Sequence, residues 1–135
     1  MTPDTIYQLR KNANEIQVFL NTSQLYTIEV IQARNRLGHL IGLLYEKEKE
    51  VVLNKIITIP SKEKFSLYKT WNFWFLHVQE LLQQAGEVTL TPAIIGLGKI
   101  YGVIMNFQQA ALVDHLEDEF EELKSINLMS KSMRG

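Results

Sequence analysis

Apolar residues recur along this chain every three or four positions and almost nowhere alternate, a pattern that confines it to helices. Ile6, Leu9, Ala13, Ile16 and Leu20 open the series at spacings of 3, 4, 3 and 4. Tyr26, Val30, Ala33, Leu37, Leu40, Leu44 and Val51 continue it. A third run carries two overlapping stripes, Leu67, Trp71, Trp74, Val78, Leu81 and Phe65, Tyr68, Phe75, Leu82. The last run is Ile94, Leu97, Tyr101, Ile104, Met105, Leu112, Leu116, Phe120 and Leu123. Four amphipathic stripes predict an all-α bundle of about four helices, two of them long.

The breaks between runs are chemically explicit. Thr2-Pro3 and Thr91-Pro92 are helix starts, because the hydroxyl can cap free amides and Pro lacks the one that would be orphaned. Asn21-Thr22-Ser23 reads as a stop followed by a new cap, which starts the second helix near Ser23 and carries it to about Asn54, roughly 45 Å. Thr58 to Ser61 interrupts the rhythm, with Pro60 closing one element and Ser61 capping the next. Gly86 ends the third helix as a left-handed cap, and Gly86 to Pro92 separates it from the fourth. Neither break is long enough for an interdomain linker, so residues 1–135 are expected to form a single helical domain.

With 46% apolar and 21% charged residues the chain has enough apolar material for a core. The absence of Cys excludes a disulfide scaffold, a thiolate zinc site and a cysteine nucleophile. No basic, apolar and small-residue series follows Met1, so no secretory signal is visible and a cytoplasmic location is expected. Fourteen Lys and Arg against fifteen Asp and Glu leave no global basic field for nucleic acid, so any RNA must be held locally.

The two stripes of the third helix imply two contact faces. Such a helix is either central to a bundle or packs one face on its own chain and the other on a second chain. Phe65, Leu67, Tyr68, Trp71, Trp74 and Phe75 offer more aromatic and apolar surface than a short bundle needs, and they predict a homo-oligomer interface. Ile94 to Val113 approaches a bilayer's length, but Lys99, Asn106, Gln108 and Gln109 interrupt it, so no membrane span is expected. Gly98 and Gly102, four apart, predict close helix packing.

The most chemically suggestive segment is Arg34-Asn35-Arg36-Leu37-Gly38-His39, which fits Arg-Asn-x-x-x-His. It resembles the signature of HEPN ribonucleases, small helical proteins that cleave RNA without metal as dimers. The resemblance implies a composite cleft in which His39 transfers the proton at the scissile 2′-hydroxyl, Arg34 holds the phosphate and Asn35 orients them. Histidine titrates near neutrality and a guanidinium stabilises charge on a phosphorane, so the chemistry is coherent. Asn35 and His39 share a helix face, whereas Arg34 lies about 140° round from His39. Ala33, Leu37 and Leu40 face the core, so a cleft here requires a second chain.

The other histidines read as structural. His77 lies among Phe75, Val78 and Leu81, which suits a core or interface histidine with one bonded nitrogen. His115, Asp114 and Asp118 lack the Glu-x-x-His pairs of a di-metal bundle, and no metal or cofactor is expected. Asp114 to Glu122 forms an acidic block, read as a solvated face and a candidate docking surface. Lys47, Lys49, Lys55, Lys62, Lys64 and Lys69 make a basic tip, interleaved with Glu46, Glu48, Glu50 and Glu63. Gly96-Leu97-Gly98 lacks the strand-turn-helix setting of a phosphate loop.

Two functions follow as expectations. The first is a non-enzymatic interaction or scaffold subunit of a larger bacterial or phage assembly, acting as an oligomer with itself and other proteins. The second is a metal-independent ribonuclease acting as a dimer.

Overall fold

The computed structural model describes the backbone of residues 1–53 and 59–134 and the side chains of residues 1–51 and 59–127. Four helices follow one another: α1 (Pro3–Thr22), α2 (Ile28–Leu53), α3 (Ser61–Ala85) and α4 (Thr91–Arg134), with a single 3-10 turn at Val88–Leu90 before the last. They run up, down, up and down. α1 packs on α2, α2 on α3, α3 on α4, and α4 returns to α1, which closes a four-helix bundle. The fold is all-α, and no strand occurs among the described residues.

Two helix ends follow the expected local chemistry. Thr2 caps α1, its hydroxyl accepting from the Thr5 amide at 3.2 Å, with Pro3 the first helical residue. Gly86 closes α3 in the left-handed region at φ 67°, where a side chain is strained.

Three ends differ from the sequence expectation. α2 begins at Ile28 rather than near Ser23, because Ser23 is the C-cap of α1 and Gln24 takes a positive φ of 58°, which breaks the helix. Tyr26 therefore sits outside α2 and is exposed rather than part of its core stripe. α3 starts at Ser61 with Pro60 in the capping position and no side-chain cap, so Ser61 is inside the helix and not ahead of it. The Thr91 hydroxyl donates back to the Val88 carbonyl at 2.7 Å instead of capping α4. The expected end of the second helix near Asn54, Lys55 of the basic tip and Thr58 lie outside the described residues.

The core takes one face from each helix: Leu9, Ala13 and Leu20 from α1, Val30, Leu37 and Leu44 from α2, Phe75, Val78 and Leu82 from α3, Leu97, Ile100 and Ile104 from α4. On α3 the two predicted stripes merge into one broad buried face, because this helix touches both α2 and α4. It is the central-helix alternative that the fold adopts. Asn72, the single buried polar side chain among the described residues, meets the Gln108 amide at 2.8 Å and so ties α3 to α4. Arg10 binds Glu48 across α1 and α2 at 2.7 Å and lies over the rings of Tyr7 and Tyr45; the carboxylate raises its pKa further.

Glycines set helix spacing on α4, though not as a Gly98 and Gly102 pair. A Cβ at Gly98 would stand 3.0 Å from the Gln79 amide of α3, and one at Gly96 would stand 3.0 Å from Ile16 of α1. Gly102 has nothing within 4 Å and faces open space.

α4 outgrows the bundle. Its 44 residues span about 66 Å, against about 37 Å for the 25 residues of α3. Tyr68 beside Phe107 at 6.2 Å and Gln79 bonded to the Ile94 carbonyl at 3.0 Å define the antiparallel register of the pair. The same register brings Ser61 level with Leu112 to Asp114, and α4 runs on for about 20 residues, about 30 Å, beyond that level. Ala111 is its last buried residue among those described.

Candidate functional site

The segment Arg34 to His39 lies in the first half of α2, against α1. Ala33, Leu37 and Leu40 are buried, so the helix turns Asn35 and His39 outward to solvent, one turn apart on the same face. Arg34 turns the other way. Its Nε donates to the Leu20 carbonyl at 3.0 Å and a terminal nitrogen donates to Ser23 Oγ at 3.0 Å, while its guanidinium lies 5.6 Å from the Tyr26 ring centre. It thus adds a charged donor to a carbonyl at the C-terminus of α1 that also accepts from the Ser23 amide and hydroxyl, and places a cation where the helix dipole favours one. Gln17 of α1 in turn donates to the Arg34 carbonyl at 3.1 Å. The structure therefore brings Asn35 and His39 together and draws the Arg34 guanidinium into the α1–α2 connection.

The aromatic residues of α3 divide in two. Tyr68, Trp71 and Phe75 are buried in the core of their own bundle, where Tyr68 and Trp71 stack obliquely at 5.8 Å. Burial raises the Tyr68 pKa above 10.0. Phe65 is half-buried beneath the Lys69 ammonium. Trp74 is on the surface beside the exposed Phe73, edge to face at 5.5 Å. The surface share of the expected aromatic interface thus reduces to Trp74 and the rim of Phe65, since α3 needs its other rings to fill the space between two neighbours. His77, half-buried beside Trp74 at 6.0 Å, accepts through Nε2 from Arg36 and joins α3 to α2.

A continuous run of exposed apolar residues lies elsewhere, on the arm of α4. Val113, Leu116, Phe120, Leu123 and Ile126 are between 53% and 59% exposed, and none of the described residues covers them. Val113, Leu116, Phe120 and Leu123 repeat the 3-4-3 spacing that buries side chains within the bundle. Leu116, Phe120 and Leu123 belong to the apolar stripe that traces the last helix, and α3 does not extend far enough to meet them. The mismatch between 25 residues of α3 and 44 of α4 is the signal that identifies them. By length and composition α4 is also apolar enough to cross a membrane, with a mean hydropathy of 1.6 in its most apolar 18 residues. Ala93, Leu97, Ile100 and Ile104 of that helix are nevertheless spent on the bundle core.

The acidic block flanks the arm. Asp114, Glu117, Asp118, Glu119, Glu121 and Glu122 are all exposed; His115 pairs with Glu119 at 3.3 Å and Lys124 approaches Glu121 at 3.9 Å. At the basic tip Lys47 pairs with Glu50 at 3.3 Å. Among the described residues no three His, Asp or Glu side chains converge as a metal-ligand set. Between α1 and α4 an apolar cleft of about 410 Å³ opens over Ile16, Gly96 and Ile100, with Glu15 and Lys99 in its walls.

Set against known proteins, the chain matches no family model, no curated protein and no solved structure.

Proposed function

We propose that this chain is a non-enzymatic interaction subunit that works as an oligomer within a larger assembly, the bundle serving as a rigid body and the α4 arm as the joining element. The observation that carries the reading is the apolar stripe of the arm, which continues a core-forming pattern for three turns beyond Ala111, the last buried residue of α4 among those described. Exposed apolar surface of this extent marks an interaction site. Acidic residues crowd both sides of the stripe, which suits a protein partner and opposes the anionic surface of a membrane. A cytoplasmic setting suits a chain without cysteine.

Sedimentation velocity over a concentration series tests this reading. The unmodified chain is expected to associate reversibly, and the Leu116→Glu and Phe120→Glu variants to sediment as monomers with unchanged helical content. Association that survives both substitutions would move the joining surface away from the arm.

A second reading, a metal-independent ribonuclease of the HEPN kind, draws on the exposure of Asn35 and His39 on one face of α2. It also requires a guanidinium at the phosphate. In this fold Arg34 spends that group on the Leu20 carbonyl, which is why the interaction subunit is the preferred reading.

A further inference from the structure

We propose that the α4 arms of two copies pair as a parallel, in-register two-stranded coiled coil. The inference rests on the self-association proposed above and names its partner and geometry. With Val113 placed at position a of a heptad, Leu116 and Leu123 fall at d, Phe120 at a and Asn127 at the next a. A single polar Asn at an a position specifies register and two-strandedness in such coils at some cost in stability.

The charges follow the same assignment. Asp114, Asp118, Glu121 and Glu122 fall at b, f, b and c, the outward positions, where four of the six acids of this segment stay in water. Glu119 falls at g and Lys124, the one lysine among residues 112–127, falls at the e position five residues later. In a parallel pair the g residue of one chain meets the e residue of the next heptad on its partner, so Glu119 faces Lys124 of the second copy, twice by symmetry. Glu117, at e, faces Leu112 of the other chain and meets no like charge.

The fold permits this contact. Ala111, which faces the core, and Phe120 are about 180° apart around an ideal helix, and Leu116 and Val113 lie within about 40° of that outer direction. The stripe therefore points away from its own bundle, and two paired arms carry their bundles on opposite outer sides without collision. The outer face is mixed where α4 lies alongside the bundle, with Asn106 and Gln109 on it together with the exposed Ile95, and becomes a continuous apolar stripe from Val113, where the helix leaves the bundle. The bundle also nucleates the helix, so each arm is ordered before it pairs and the ordering cost of association is small.

Because the chain has no cysteine, Asn127→Cys places a single thiol on the exposed face of the arm, and mild oxidation reads the pairing directly. Parallel pairing in register sets the two engineered thiols side by side, and near-complete disulfide dimer is expected at concentrations where the unmodified chain associates. Lys124→Glu is expected to weaken dimerisation about tenfold, and the swap Glu119→Lys with Lys124→Glu to restore it, since two exposed charge pairs are replaced by two repulsions and then rebuilt. Circular dichroism confirms that each variant keeps its helices. A chain that dimerises with no disulfide product and no response to Lys124→Glu pairs in another geometry, which overturns the parallel coil and leaves self-association standing. A chain that stays monomeric overturns both.

Discussion

The guanidinium of Arg34 closes the end of the helix before its own, its Nε donating to the Leu20 carbonyl at 3.0 Å and a terminal nitrogen to Ser23 Oγ at 3.0 Å. A charged donor on a helix-end carbonyl contributes more than a neutral hydrogen bond, and its removal takes away the cation at the helix end and the link between α1 and α2, while the Ser23 amide and hydroxyl stay on the carbonyl. Arg34→Ala is therefore expected to cost about 1–3 kcal/mol in urea denaturation. Asn35→Ala and His39→Ala, at exposed positions, should change stability by less than about 0.5 kcal/mol. Equal and small effects at all three positions would remove the structural role assigned to Arg34.

That contrast bears on RNA. With Arg34 committed to α1, the purified chain is expected to leave single-stranded RNA intact in EDTA over hours. Cleavage leaving 2′,3′-cyclic phosphate ends, lost in His39→Ala, would favour the ribonuclease reading. An acid-base group contributes about 10² to 10⁴-fold, so a genuine activity would not survive that substitution.

Trp71 and Trp74 separate core from surface on one helix. Trp71→Ala is expected to lower the unfolding free energy by about 3–5 kcal/mol, as for other buried large aromatics. Trp74→Ala should cost far less, because its ring is on the surface and its contacts are to Phe73 and His77. Urea midpoints of the two variants decide the matter, and equal midpoints would contradict the assigned burial.

Tyr68 makes stability sensitive to alkali. Burial raises its pKa above 10.0, while in the unfolded chain it ionises near 10. The folded state thus retains a proton that the unfolded state loses, so stability is intact below about pH 10 and falls as pH rises past it. The Met1 amine, which donates to the Tyr68 hydroxyl at 3.2 Å, offers the phenolate no charge there, because burial and Lys64 lower its own pKa from 8.0. Tyr68→Phe should therefore lose less stability between pH 9 and 11 than the unmodified chain does. An identical loss in both would assign the alkaline sensitivity to other groups.

The helices and most of their limits were legible in the residues. The Ile6 to Leu20 stripe is buried as spaced, and Thr2-Pro3 and Gly86 act through the groups that made them readable. The start of α2 was not, because Asn-Thr-Ser serves equally as a stop or a start and the positive φ of Gln24 leaves no compositional trace. Arg34 shows the limit at the candidate site. The motif fixes which residues share a face, but the direction of a long guanidinium depends on a carbonyl in another helix, 14 residues earlier. The arm was hidden by its own regularity. Leu116, Phe120 and Leu123 look like core residues because periodicity reports that a face wants a partner and not whether the chain supplies one.

The most direct measurement is the molar mass of the unmodified chain by light scattering at micromolar to tens of micromolar concentration. An arm that joins two copies predicts a mass rising to twice the 15.6 kDa of one chain, and a single-chain mass for Leu116→Glu under the same conditions. A monodisperse 15.6 kDa species across the whole range would contradict the account, since the apolar stripe of α4 would then remain in water without a partner of its own kind.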